Sequence, residues 1–365
     1  FQSKRVLARR DVVARAGQLV SLLLRPLEGF VAKSFRHRTL RQILGYPAVF
    51  LGSSPDRAPS MYHLMSHLDL ADGVQYPQGG FTTIITAIER LARAEGVEVR
   101  TGARVTEIVT GPLGTAVSGR RRTAGWRRRA AVTGVRYTLA DGSVETIDAD
   151  VVVSGADVHH TETTLLPPDL QTYPQRWWDS RESGPGAVLV YLGVEGELPQ
   201  LAHHSLFFTA DWQKNFDDIF GEHTAVPDPA SIYVCRPSAT DATVAPAGSE
   251  NLFFLVPVPP DPAIGRGGED GTGDPLVEKA ADAAIAQLAE WAGIPDLASR
   301  VTVRRTVGPA DFVTDFNSWS GGALGPAHTW KQSAFLRGSN ASALVDGLLY
   351  AGGTTIPGIG LPMCL

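Results

Sequence analysis

Two stretches of the chain run apolar without alternation and end in glycine. The first is Val151-Val152-Val153-Ser154-Gly155-Ala156-Asp157. A continuous run of β-branched residues predicts a strand buried on both faces, as in a parallel sheet. The second, Leu348-Leu349-Tyr350-Ala351, predicts a short buried strand, and four glycines and two prolines around a Thr-Thr pair follow it up to Pro362. Glycines this dense just past a strand let the backbone approach a flat or anionic group, because no Cβ blocks the way. An ordinary strand-to-helix loop has the same composition, so this stretch alone leaves both readings open.

Elsewhere the period changes to that of a helix. Phe81, Ile84, Ile85, Ile88 and Leu91 form one stripe, which Gly96 ends in the C′ position. The stripe follows a short strand, Gly73-Val74-Gln75-Tyr76, that stops at Pro77, and a Gly79-Gly80 turn. Strands are predicted over Val97–Arg100 and Arg104–Val109. A hairpin is predicted from Val132–Leu139 to Val144–Ile147 through Asp141-Gly142. From about 170 to 305 the strand-like runs are Val188–Val194, Ser205–Thr209, Ser231–Arg236 and Asn251–Val258, which predict an antiparallel sheet. Pro257 to Pro275 is rich in Pro, Gly and Asp and is expected to be an exposed loop. An amphipathic helix, Pro275 to Ala292, follows it.

Residues 5–35 repeat apolar positions at helical spacing among many arginines, and Pro26 is expected to divide them into two helices. A basic, apolar-rich stretch suits either an anionic membrane surface or packing on the chain's own domain. His63 and His67 stand four apart on a predicted helix, but no H-E-x-x-H motif accompanies them. They read as surface or pocket residues, and no metal site is assigned. Arg120-Arg121-Arg122 and Arg127-Arg128-Arg129 flank Gly125-Trp126 and read as a solvated hairpin tip rather than a nucleic-acid face.

Composition narrows the classes further. At 365 residues, two intertwined domains are the natural expectation. A net charge of -5 gives no reason to expect nucleic acid as a partner. The two cysteines, Cys235 and Cys364, stand in no metal or redox spacing and fit a reducing compartment. No stretch reaches the roughly 20 apolar residues of a membrane-spanning helix.

The terminal glycine motif resembles the flavin-binding signature of the phytoene desaturase family, FAD-dependent carotenoid oxidoreductases within the amine-oxidase-like flavoproteins. Leu40 to Gly80, Val97 to Ile108 and Thr306 to Asn340 agree with that family in the same order. The resemblance implies an α/β protein: a Rossmann-like FAD-binding domain with a substrate domain made of an antiparallel sheet plus helices. It divides the chain into a helical substrate- or membrane-facing segment (1–72), part of the FAD-binding domain (73–165), a substrate domain (166–305) and a return to the FAD-binding domain (306–365). Family members begin with a strand, a G-x-G-x-x-G turn and a helix, which are not found here. The chain is therefore expected to be a piece of a longer protein, without its first βαβ unit and its last helix.

By the same resemblance, FAD would be contacted by Gly79, Gly80, Val105, Gly155, Ala156, Gly352, Gly353, Thr355, Pro357, Gly358 and Gly360. The implied activity is desaturation of phytoene towards lycopene, or a later carotenoid step or isomerisation. A non-catalytic lipid-binding relative is the other class. A long-chain isoprenoid or carotenoid substrate and a membrane surface are the implied partners, with a cytoplasmic location on the inner face of the cell membrane. No nucleophile triad or carboxylate pair is present to assign as catalytic, as expected where the cofactor carries the hard step.

Overall fold

A computed structural model describes Gly17 and residues 20–50, 52–113, 128–333 and 336–360. The first half of the basic stretch, the Arg120-Arg121-Arg122 cluster, Leu361 and Pro362 lie outside the described residues. Pro26 does divide the helical stretch: helix reaches Leu24, and α1 (Leu27–Ala32) starts just after the proline. With α2 (Arg38–Gly45) and α3 (His63–Ala71), α1 forms a small layer whose core is Leu27, Val31, Ala48 and Ala58.

Helix α4 (Thr82–Ala94) forms where the apolar period predicts it. Gly96 closes it at φ 87°, with the Val97 N–H donating to the Ala92 carbonyl at 3.0 Å. Its stripe is nevertheless uncovered. Phe81, Ile85 and Leu91 are 61%, 65% and 64% exposed, and no described element packs over them.

Two predicted strands flanking α4 do not form: Gly73 to Tyr76 and Val97 to Arg100 are extended without ladder partners. A strand exists only where a neighbour accepts its hydrogen bonds, and here none of the described residues does.

The next sheet centres on β2 (Ala130–Thr138). β1 (Arg104–Pro112) runs antiparallel along one side of it. The other side is shared by β3 (Val144–Asp148), antiparallel, and β10 (Val345–Asp346), parallel. The β2–β3 hairpin turns at Gly142 with φ 83°, as the Asp-Gly pair predicts.

β4 (Val152–Ser154) pairs in parallel with β11 (Leu348–Tyr350). Val153 is 60% exposed, so the expectation of burial on both faces fails. The parallel pairing stands, but one face of the pair is open among the described residues. The buried side joins Ile108, Val132, Trp178, Leu348 and Tyr350 with Val158 of α5 (Val158–Thr164).

A five-stranded antiparallel sheet, ordered β6-β7-β8-β5-β9, makes the third layer. Its strands are β5 (Gly186–Glu195), β6 (His204–Phe207), β7 (Ile232–Cys235), β8 (Ser249–Val258) and β9 (Val301–Val307). One face carries Val188, Val190, Leu192, Phe254 and Val256 against Val277, Ala281 and Leu288 of α6 (Pro275–Trp291). Strict alternation sends Leu189, Tyr191, Tyr233, Phe253 and Leu255 to the opposite face, where Tyr191 is 41% exposed.

The Pro257-to-Pro275 loop departs from the expected exposed loop by being tied down. Gly268 N donates to Thr306 Oγ1 at 2.8 Å, Gly267 N to Asp311 Oδ2 at 2.7 Å and Arg266 N to Asp274 Oδ2 at 2.7 Å. Asp311 lies in α7 (Pro309–Phe316) and also accepts from Gly308 N, which starts that helix.

Phe254 is fully buried at the centre of the sheet–helix core. Phe254→Ala should cost about 3–5 kcal/mol, measured as a lower urea midpoint with the slope unchanged.

Candidate functional site

The parallel register sets Leu348 opposite Val152 and Tyr350 opposite Ser154, so β4 and β11 stop at the same level. Ala351 N extends the ladder by one bond, donating to the Ser154 carbonyl at 2.9 Å. Both chains then turn away at glycine. The carboxyl ends of adjacent parallel strands are where open α/β sheets take ligands, because the diverging connections leave a crevice.

A cavity of about 540 Å³ lies there, lined by Gly155, Ala156, Asp157, Gly352 and Gly353 together with residues from Asp315 to Gly325. At Gly155 and Gly352 a Cβ would meet no atom within 4 Å, so both leave space on the cavity side. Gly352 also has φ 130°, which favours glycine.

Asp157 ties the cavity wall together. Its Oδ1 accepts from His159 N at 2.7 Å, capping α5, and its Oδ2 accepts from Trp319 N at 3.2 Å in the loop that forms the facing wall. Burial raises its carboxyl above the usual range, and these two N–H donors partly oppose that. The facing loop turns through Asn317, Ser320, Gly321 and Gly325, all at positive φ, and pairs with 184–185 through Gly184 N to Gly325 O at 2.7 Å. Asp157 and this loop were not among the expected site residues. The glycine density from Gly321 to Gly325 is the signal that marks it.

The terminal motif is held by Arg337, a buried guanidinium that donates to the carbonyls of Pro326 (3.1 Å), Gln332 (3.3 Å) and Gly353. Thr355 is buried and donates to the Gly352 carbonyl at 3.1 Å, bracing the turn rather than lining the cavity. Pro357 is exposed. Gly358 is buried at φ 133°, where a Cβ would come within 2.5 Å of His328 Nε2. Gly360, at φ 128°, is the last described residue.

The other expected residues lie apart from this cavity. Val105 is in β1 opposite Tyr137 and is 38% exposed. Gly79 and Gly80 turn at φ 83° and 85°, and Gly79 N donates to Asp241 Oδ2 at 2.6 Å, which docks the turn on the third layer. Asp241 is held down to about 2, first by the Thr243 hydroxyl and then by the N–H of Gly79. The structure thus gathers Gly155, Ala156, Gly352 and Gly353 around one cavity, braces them with Thr355 and Gly358, and leaves Gly79, Gly80 and Val105 elsewhere. His63 and His67 border a small cavity between α1, α2 and α3.

On the buried side of β11, Glu162 of α5 is fully buried, and its carboxylate accepts from Tyr173 N at 2.8 Å and from the Tyr350 hydroxyl. Burial raises this carboxyl, and the two donors partly offset it.

The chain matches the family described as flavin containing amine oxidoreductase over residues 24–365, and it belongs to that family. It is 38% identical over 343 residues to a protein named carotenoid 3,4-desaturase from Haloarcula japonica, covering 94% of this chain and 63% of that one. It is 34% identical over 336 residues to a zeta-carotene-forming phytoene desaturase from Myxococcus xanthus, covering 92% of this chain and 59% of the relative. The chain thus spans less than two thirds of the length of these curated relatives. Among solved structures, an oxidoreductase from Methanosarcina mazei shares the fold at a TM-score of 0.60 and 15% identity, over 99% of this chain and 72% of that one.

Two substitutions test the bracing. Gly358→Ala should cost about 1–3 kcal/mol, since it combines an unfavourable φ with a close approach to His328; the urea midpoint reads this directly. Tyr350→Phe leaves Glu162 with one donor fewer, at about 1–3 kcal/mol near neutral pH. Glu162 is raised in the folded state, so ionisation there opposes folding as pH climbs above the ordinary carboxylate range. Losing the Tyr350 hydroxyl raises it further. The stability gap between wild type and Tyr350→Phe should therefore widen from acid pH upward, as followed by melting temperature against pH.

Proposed function

We propose that this chain carries the substrate-facing sheet and a large share of the cofactor cradle of an FAD-dependent carotenoid desaturase. The observation that carries the reading is the cavity at the joint carboxyl ends of β4 and β11, which glycines border on two sides. A flat ring system or a pyrophosphate could approach Gly155 and Gly352 closely because no side chain occupies the space a Cβ would fill. The residues present therefore fit FAD, with Gly155, Ala156, Gly352 and Gly353 against it. Thr355, Pro357, Gly358 and Gly360 would shape the turn, and Gly79, Gly80 and Val105 would make further contacts.

When bound, FAD would supply the two-electron oxidation of a saturated CH–CH bond, one hydrogen leaving as hydride and the other as a proton. The protein's share would be to bind, align and keep dry a long hydrocarbon. The apolar, aromatic face of the five-stranded sheet suits that task, with Tyr191 and Phe253 rings 5.2 Å apart and Tyr233 and Phe253 rings 6.2 Å apart. The names of the two relatives support a carotenoid substrate class.

The proposed division follows the layers: a helical, membrane- or substrate-facing segment at 1–72, cofactor-binding parts at 73–165 and 306–365, and a substrate domain at 166–305. Among the described residues no helix is long and apolar enough to cross a membrane. We read the chain as resting on the inner face of the cell membrane through its first helices, where a bilayer-dissolved substrate is within reach.

The protein, supplied with FAD, should show flavin's visible bands, and these should bleach without oxygen when vesicles loaded with phytoene or a more desaturated carotenoid are added. The carotenoid that bleaches them names the step. Flavin that binds but stays oxidised with every carotenoid would overturn the desaturase reading. Gly155→Val should leave the unfolding midpoint within about 0.5 kcal/mol of wild type. It should weaken FAD binding at least about tenfold, or about 1.4 kcal/mol, by flavin fluorescence titration.

A further inference from the structure

The sheet brings an adjacent pair, His203 and His204, together with a cysteine farther along the chain. His204 opens β6, and the antiparallel register sets it directly opposite Cys235, the last residue of β7. His203 precedes it at the point where the edge strand begins, so both imidazoles lie side by side, with ring centroids 4.3 Å apart. One ring nitrogen from each histidine and Cys235 Sγ all lie within 4.8 Å of one another. Among the described residues this is the one such set of three potential ligands.

We propose that His203, His204 and Cys235 form a binding site for a zinc-class divalent ion. Two imidazoles and one thiolate are a borderline-soft donor set, which suits Zn²⁺ in a tetrahedral arrangement with the fourth position open to water.

Two further observations support the site. His203 Nε2 is buried and has no hydrogen-bond partner, a costly state for a polar atom that metal coordination would relieve. The Nδ1 atom of each ring already has an oriented oxygen neighbour: Thr240 Oγ1 at 2.7 Å for His203 and Tyr233 Oη at 2.7 Å for His204. Such neighbours orient a ligating imidazole through its second nitrogen and fix its tautomer.

The position gives the ion a structural task. His204 and Cys235 lie on the same open face as Tyr233 and Phe253, at the sheet's edge. The Tyr76 ring packs edge-on to His203 at 4.6 Å, and Tyr76 shares Asp241 with Gly79. An ion there would clasp β6 to β7 and stiffen the seat of the Gly79-Gly80 turn. This inference does not depend on the flavin reading.

The test uses EDTA-treated whole protein titrated with Co²⁺ and then with Zn²⁺, without FAD or substrate. One equivalent of Co²⁺ should give a thiolate-to-cobalt charge-transfer band together with tetrahedral d–d bands, and Zn²⁺ should bleach both. Cys235→Ser should abolish the charge-transfer band, whereas Cys364→Ser should keep it. His204→Ala, at an exposed position, should weaken Co²⁺ binding at least about tenfold with the fold intact by circular dichroism. Zn²⁺ should raise the melting temperature of wild type but not of His204→Ala. Absence of the band at one equivalent, or a band that survives Cys235→Ser, would overturn the site.

Discussion

The parallel pairing of β4 with β11 is the constraint on which the rest of the site depends. Three residues on each strand are enough, because the register ends both strands at one level and lets both connections turn at glycine. Their buried side is fastened by an uncommon contact: a fully buried carboxylate, Glu162, meeting the hydroxyl of Tyr350. A buried charge is tolerated only when its lone pairs are met, so α5 and β11 hold each other in place through this one group. Arg337 acts in the same way on the other side of the motif, with its buried guanidinium spread over three carbonyls.

The five-stranded sheet follows a different logic. Its central strands, β5, β7 and most of β8, alternate, so one face builds a dry core with α6 while the other leaves an aromatic surface open. The two layers meet at Asp241, whose carboxylate takes the N–H of Gly79 and the hydroxyl of Tyr76. The Gly79-Gly80 turn and the five-stranded layer are therefore coupled by a charged side chain rather than by apolar packing alone.

Elements whose period is carried by their own residues were legible in the sequence. The stripe of α4, the Asp-Gly hairpin and the alternating strands of the sheet all form as their periods dictate. What failed depended on distant partners. Val97 to Arg100 has β character but no neighbouring strand among the described residues, so it stays extended. The Pro257-to-Pro275 loop has the composition of an exposed loop, yet Thr306 and Asp311, 38 and 44 residues away from their partners in it, fix it. In the site, the glycine-flanked strand ends could be read directly, since a glycine after an apolar run is visible in one dimension. Asp157 as a bridge and Arg337 as a clamp could not, because their worth lies in which backbone groups they reach. The same holds for the His203-His204 pair and Cys235, which no spacing rule joins and the β6–β7 register does.

The sequence separation of 188 between Glu162 and Tyr350 also bears on how the protein is made. At the usual ~5–20 residues per second of synthesis, β4 waits roughly 10–40 s for the strand that completes it. Until then its apolar run is an open sheet edge and Glu162 has no hydroxyl to meet. The five-stranded sheet, finished by Val307, can assemble well before this pair closes. The β4–β11 pair is thus the last part of the described fold to close, and the glycine-bordered cavity at its end is completed only then.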